Sequence, residues 1–178
     1  MIRAAVIYWS KSGNTEKVAA VIRDCLQRIC TELTYQRVEK AQDLDYYDYE
    51  LLCLGFPSYW WHPPVQVVNF LKNHHNRYEK KNRIKVGSPK LKGKNVIIFC
   101  TYSGPHTGIN EAIPAAKYAA QFFEHLGFTV LDELYIVGEF HGLKEESTKG
   151  RLGDIRGRPN EKDLSDVQKR VEELLEKL

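Results

Sequence analysis

The sequence is poor in the features that mark most specialised protein classes. None of its apolar runs approaches the ~18 residues that a membrane-crossing helix needs. From Ile2 it enters an apolar, strand-length stretch without a basic-then-apolar leader, so no secretory signal is expected. Its four cysteines, Cys25, Cys30, Cys53 and Cys100, form no C-x-x-C and no metal-type spacing with histidine. They are expected as small core or near-core thiols in a reducing, cytoplasmic compartment, and no metal site is expected. G-x-G-x-x-G and G-x-x-x-x-G-K-[ST] are both missing, which removes the dinucleotide fingerprint and the P-loop. G-x-S-x-G is missing too, which leaves no nucleophile elbow. Neither a repeat nor a second domain interrupts the 178 residues, a length that suits one domain, 1–178, with a full core.

Negative charge is nearly absent from one segment. Between Lys72 and Lys94 nine Lys/Arg stand against a single acid, Glu79, a net +8; with +3 for the whole chain, the remainder carries −5. The stretch shows no apolar periodicity and is expected as a basic loop or insertion at about 72–94. Its only aromatic is Tyr78, a poor basis for binding nucleic acid. It could meet an acidic redox protein, a nucleotide phosphate, a subunit or solvent alone.

What the chain does contain alternates between two periodicities. Ile2 to Tyr8 is apolar almost throughout, as in a central parallel strand covered on both faces. Val18, Ile22, Cys25, Leu26 and Ile29 then follow helical spacing. Leu33 to Val38 alternates as an edge strand, and the acidic, Tyr-rich stretch Ala41 to Tyr49 is expected on the surface. A third strand runs from Glu50 to Gly55, and a helix follows Pro63-Pro64. Asn95 to Cys100 is a fourth strand, and an alanine-lined helix runs from Ala112 to its stop at Gly127. Phe128 to Val137 reads as a fifth strand, in one piece or two. A long polar loop, 139–159, leads to a last helix capped by Asn160. This order predicts an α/β fold, a three-layer, doubly wound five-stranded parallel sheet. Such sheets bind ligands beyond the carboxyl ends of their strands, at the switch point. No Asp follows strand one, three or four, which disfavours a phosphorylatable receiver-type module.

Three unusual loops leave those carboxyl ends. Ser10-Lys11-Ser12-Gly13-Asn14-Thr15 joins a strand to a helix and is rich in hydroxyl and amide donors. With the helix N-terminus it suits a phosphate, and Gly13 lets the backbone curl round an anion. Gly55-Phe56-Pro57-Ser58-Tyr59-Trp60-Trp61-His62 carries three adjacent aromatics, and Thr101-Tyr102-Ser103-Gly104 carries another. Aromatic loops on both sides of one crevice suit a flat conjugated ring. Backbone N–H groups of Thr101 to Gly104 could bond ring carbonyls and nitrogens, and His106 could face the ring's pyrimidine end.

Taken together, the three loops resemble those of the flavodoxin-like FMN-binding family. Ser10 to Thr15 is similar to its phosphate loop, S/T-x-S/T-G-x-T. Gly55 to Trp60 and Thr101 to Gly104 resemble the loops on either side of its flavin ring. Gly157-Arg158-Pro159-Asn160 resembles a G-x-P-N stretch of the family, expected as helix-capping structure. The resemblance implies strand order 2-1-3-4-5 and FMN as cofactor. It implies cofactor-binding positions at Ser10, Lys11, Ser12, Gly13, Asn14, Thr15, Pro57, Ser58, Tyr59, Trp60, Trp61, Thr101, Tyr102, Ser103, Gly104 and His106, with no catalytic side chain required. Electron-carrier flavodoxins are typically strongly acidic, whereas this chain is net positive and its second and third loops contain no Asp or Glu. The expected function is electron transfer through bound FMN. The alternative is an NAD(P)H-dependent FMN-containing quinone reductase, and a flavin-free binding module ranks below both. Expected partners are a redox protein or a small quinone-like acceptor, without nucleic acid or membrane; a homo-oligomer is left open.

Overall fold

The computed structural model describes residues 2–178. Strand β1 (Arg3–Tyr8) is buried at every position after Arg3. A strand that is apolar on both faces is stable only inside a sheet covered on both sides. It pairs in parallel with β2 (Glu32–Arg37) and with β3 (Leu51–Pro57). Beyond β3 lie β4 (Asn95–Tyr102) and β5 (Thr129–Val137), also parallel, so the order is β2-β1-β3-β4-β5 as expected. The fifth strand is one piece of nine residues, with a register shift opposite Val96 and Ile97. Helices α1 (Asn14–Gln27) and, near the C-terminus, α5 (Glu161–Leu175) pack with Ala4, Val6, Cys53 and Phe99 on one face. The other face takes α2 (Val65–Lys80) and α3 (Ile113–His125), whose buried Ala115, Ala116 and Ala119 let it approach the sheet closely. Asn160 caps α5 in a reciprocal box with Asp163. Among the described residues no helix is long and apolar enough to cross a membrane, and no His, Cys, Asp or Glu cluster could hold a metal ion.

Three segments depart from the sequence-based expectation. The connection from β2 to β3 is not a surface stretch: Ala41, Tyr46 and Tyr49 are buried, Tyr46 completely, in and beside a 3-10 turn at Tyr46–Asp48. The Tyr46 ring stacks on His74 at 4.3 Å and meets Phe70, Tyr78, Phe122 and Phe123. This aromatic cluster covers the sheet where a crossover helix would otherwise lie. Second, the first part of the basic segment is helical, because α2 continues to Lys80. Its inward positions after Leu71 are His74 and Tyr78, polar residue types that hide the apolar period. The loop proper runs over residues 81–94 and enters β4 at the amino end of the sheet. Lys81, Lys90 and Lys94 there pair with Asp45, Glu124 and Glu50. Third, the 139–159 stretch contains a short helix, α4 (Lys144–Thr148), and buries Ser147 and Ile155.

Cys53 and Cys100 are fully buried and Cys25 nearly so, while Cys30 is partly exposed; all four are free thiols. Burial pushes the Cys53 and Cys100 thiols well above their ordinary range, which keeps them protonated and unreactive.

The two buried hydroxyls of the aromatic cluster make opposite predictions. Tyr46 Oη has no hydrogen-bond partner among the described residues, whereas Tyr78 Oη accepts from the Tyr46 N–H at 2.7 Å and donates to Asp45 at 3.2 Å. Tyr46→Phe is expected to leave the urea unfolding free energy unchanged or higher. Tyr78→Phe, which orphans a buried N–H, is expected to lower it by about 1–3 kcal/mol. Equal losses for the two variants would contradict this assignment.

Candidate functional site

Because all five strands run the same way, the segments that follow β1, β3, β4 and β5 meet at one end of the sheet. The first turns at Gly13, whose φ of 94° is open to glycine and strained for other residues. The Gly13 N–H donates to Ser10 Oγ at 3.1 Å, which holds the turn closed. The backbone N–H groups of Lys11, Ser12, Asn14, Thr15 and Glu16 have no acceptor among the described residues. They form a cluster of donors at the positive end of α1. Ser10 and Thr15 are buried, and Thr15 Oγ1 lies 2.8 Å from Thr101 Oγ1, fastening this turn to the end of β4.

The second segment is a tight hairpin. Tyr59 N–H donates to the His62 carbonyl at 2.9 Å and His62 N–H to the Tyr59 carbonyl at 3.0 Å. The two residues between them, Trp60 and Trp61, have φ of 51° and 61°. Positive φ at both central positions is type I′ geometry, which ordinarily selects Asn-Gly. Two adjacent tryptophans are instead held in the left-handed region, each strained by roughly 1–2 kcal/mol. Trp60 is 86% exposed and Trp61 55%, so burial does not offset the strain. Tyr59 packs edge-on against the buried Trp9 at 5.9 Å and anchors the base of the hairpin.

In the third segment, Ser103 Oγ donates to the Gly138 carbonyl at 2.8 Å, while the N–H groups of Ser103 and Gly104 have no acceptor among the described residues. Gly104 has φ of 52°, and a Cβ there would lie 2.6 Å from the Gly108 carbonyl oxygen. Glu111 turns back to accept from the N–H groups of His106 and Thr107, at 2.8 and 2.6 Å. The His106 imidazole is exposed, 3.9 Å from the Glu146 carboxylate.

These segments enclose a cavity of about 810 Å³. Ser10, Lys11, Ser12, Asn14 and Thr15 line it at one end, and it is also lined by Pro57, Ser58, Tyr59, Trp60, Trp61, Thr101, Tyr102, Ser103, Gly104 and His106. Of the positions singled out from the sequence, Gly13 alone does not line it; its part is to shape the turn. Tyr102 lines the cavity while only 9% exposed; it also belongs to the core cluster on this side of the sheet, and burial raises its hydroxyl pKa.

A fourth wall went unforeseen. Gly138, Glu139, Phe140, His141, Leu143 and Glu146, after β5, line the same cavity. The signal was available, since β5 is a parallel strand and the chain leaving it must emerge beside the other loops. Phe140 and Leu143 are also isolated apolar residues in a polar stretch. With Glu111, this wall brings three carboxyl groups to a cavity whose second and third loops carry none.

A five-stranded parallel sheet of this order, covered by helices on both faces and indented at its carboxyl end, is the flavodoxin-like α/β fold. No protein-family model matches the chain, and no curated protein matches its sequence. Solved structures do match its fold. Oxidised flavodoxin 2 from Bacillus cereus aligns with a TM-score of 0.70 and 19% identity over 99% of each chain. Oxidised flavodoxin 1 from the same organism aligns at 0.67 and 15%, again over 99% of each. Rubredoxin oxygen:oxidoreductase from Desulfovibrio gigas aligns at 0.62 and 12%, covering 98% of this chain and 35% of that one.

The hairpin strain yields a test independent of any ligand. Replacing Trp60-Trp61 by Asn-Gly is expected to raise the unfolding free energy by about 1–3 kcal/mol, read from the urea midpoint at unchanged slope. A lower midpoint would mean that indole contacts outweigh the strain.

Proposed function

We propose that the cavity binds flavin mononucleotide and that the protein transfers electrons through it, the whole chain acting as one flavodoxin-like domain. The observation that carries this reading is the pairing of two unlike ends in a single cavity. One end presents unpartnered N–H groups with hydroxyl and amide side chains and a single cation, Lys11. That donor set fits a phosphate monoester. Elsewhere the cavity presents Tyr59, Trp60 and Trp61, with the free N–H groups of Ser103 and Gly104. That set fits a flat conjugated ring bearing carbonyl and nitrogen acceptors. When bound, the flavin supplies the electron-carrying group, and the side chains here hold it, orient it and limit water. His106, at the rim beside Glu146, is placed to favour negative charge in the cavity when protonated.

The partner in this reading is a redox protein or a small quinone-like acceptor, in the cytoplasm. One feature favours the enzymatic version, an NAD(P)H-dependent quinone reductase: the cavity is also lined by apolar Phe140 and Leu143, which add room for an apolar acceptor. Steady-state NAD(P)H oxidation by pure flavin-loaded protein with a quinone would select it over protein-to-protein transfer.

Titration with FMN, followed by quenching of flavin fluorescence, tests the proposal. Saturable quenching is expected, and a protein that stays colourless after incubation with FMN would refute it. Ser12→Ala, which removes an exposed hydroxyl, is expected to weaken FMN about fivefold while leaving riboflavin unchanged, the value of roughly 1 kcal/mol for one hydrogen bond. Equal losses for both ligands would take Ser12 out of the phosphate contacts.

A further inference from the structure

We propose that His141, a residue 127 positions from the turn it serves, is a phosphate-binding residue of this cavity. The inference rests on the FMN reading and adds to it a basic side chain from outside the first loop, whose own cation is Lys11.

Three contacts bring the segment after β5 onto the first turn of α1. Asn14 Nδ2 donates to the Glu139 carbonyl at 3.0 Å. Gly138 lies so close that a Cβ on it would sit 2.7 Å from Asn14 Nδ2, so a larger residue would displace the Asn14 side chain. His141 Nε2 is 3.4 Å from Asn14 Oδ1, the imidazole facing the side chain that opens α1. The segment is held from behind as well. Gly138 N–H donates to the Tyr102 carbonyl at 2.8 Å, and Phe140 N–H donates to Ser147 Oγ at 2.9 Å. The exposed histidine therefore directly follows residues that are hydrogen-bonded in place.

Electrostatics gives the placement its meaning. A phosphate monoester carries about two negative charges near neutral pH, whereas the turn offers neutral donors, the exposed Lys11 and the Arg37 guanidinium, which donates to the Ser10 carbonyl at 2.8 Å. The nearest carboxylate in sequence, that of Glu139, is occupied by the Gly157 N–H at 2.8 Å. Glu146 lies beside His106. Neither contact takes up the His141 imidazole, whose partner is Asn14. An imidazolium donor beside the N–H cluster would add a charge-assisted hydrogen bond, roughly twice as strong as a neutral one.

The test is the affinity ratio of FMN to riboflavin, measured by fluorescence titration of the full-length protein. In the unsubstituted protein FMN should bind more tightly than riboflavin. His141→Ala is expected to weaken FMN about tenfold with riboflavin unchanged. His141→Lys, which supplies a cationic donor at that position, should retain most of the preference. An unchanged ratio in His141→Ala, with the preference intact in the parent, overturns this inference and leaves the FMN reading standing. A parent protein that binds neither flavin, or both equally, overturns both. Equal loss of FMN and riboflavin in His141→Ala, not restored in His141→Lys, would make the residue a structural prop and would also overturn the inference.

Discussion

The structure turns on backbone donors that the fold leaves without partners. Where β1 runs into α1, the first N–H groups of the helix have no carbonyl behind them, and Gly13 points them toward the same space. Such groups must find an acceptor in water, in a side chain or in a ligand. Ser10 accepts from Gly13 just before them, and Lys11, Ser12, Asn14 and Thr15 line a cavity. Everything else at this end of the molecule is arranged around that opening. The Thr15–Thr101 contact ties the turn to β4, and the Asn14–Glu139 contact ties it to the chain beyond β5.

Parallel pairing is what makes the arrangement possible. It forces each connection that follows a strand to the same end, so residues far apart in sequence converge without a dedicated interface. It also separates functions. The basic loop at 81–94 precedes β4 and is confined to the amino end, away from the cavity. Its lysines meet Asp45, Glu50 and Glu124 there, so part of the charge apparent in the sequence is neutralised locally. The rim of the cavity, by contrast, has strain built into it. Trp60 and Trp61 occupy a turn suited to Asn-Gly while remaining largely exposed. Their one ring contact among the described residues is edge-on with each other at 6.0 Å, and a costly conformation with so little burial is the pattern of a surface shaped for contact.

Much of this was legible in the sequence, for identifiable reasons. Ile2 to Tyr8 announced a doubly covered strand because apolar residues filled both faces. The first three site loops stood out because glycine, hydroxyl and aromatic residues clustered at strand ends. The rest was hidden wherever polar residue types fill buried positions. His74 and Tyr78 face inward on α2 and masked its period, so the helix appeared to end early. Tyr46 anchors a core cluster inside a stretch that its acidic neighbours made look exposed. The wall at 138–146 was missed because its residues follow no motif. Its role comes from the direction of β5 and from the close approach of Gly138 to Asn14, which only the folded chain shows.

The central claim is that the turn between β1 and α1 takes the phosphate of a flavin whose ring lies against the hairpin. Backbone amide chemical shifts recorded with FMN and with riboflavin test it most directly. The account predicts that both ligands shift Trp60, Trp61, Ser103 and Gly104, and that FMN alone shifts Ser12, Asn14, Thr15 and Glu16. Amides of residues 12–16 that respond equally to the two ligands, or to neither, would contradict it.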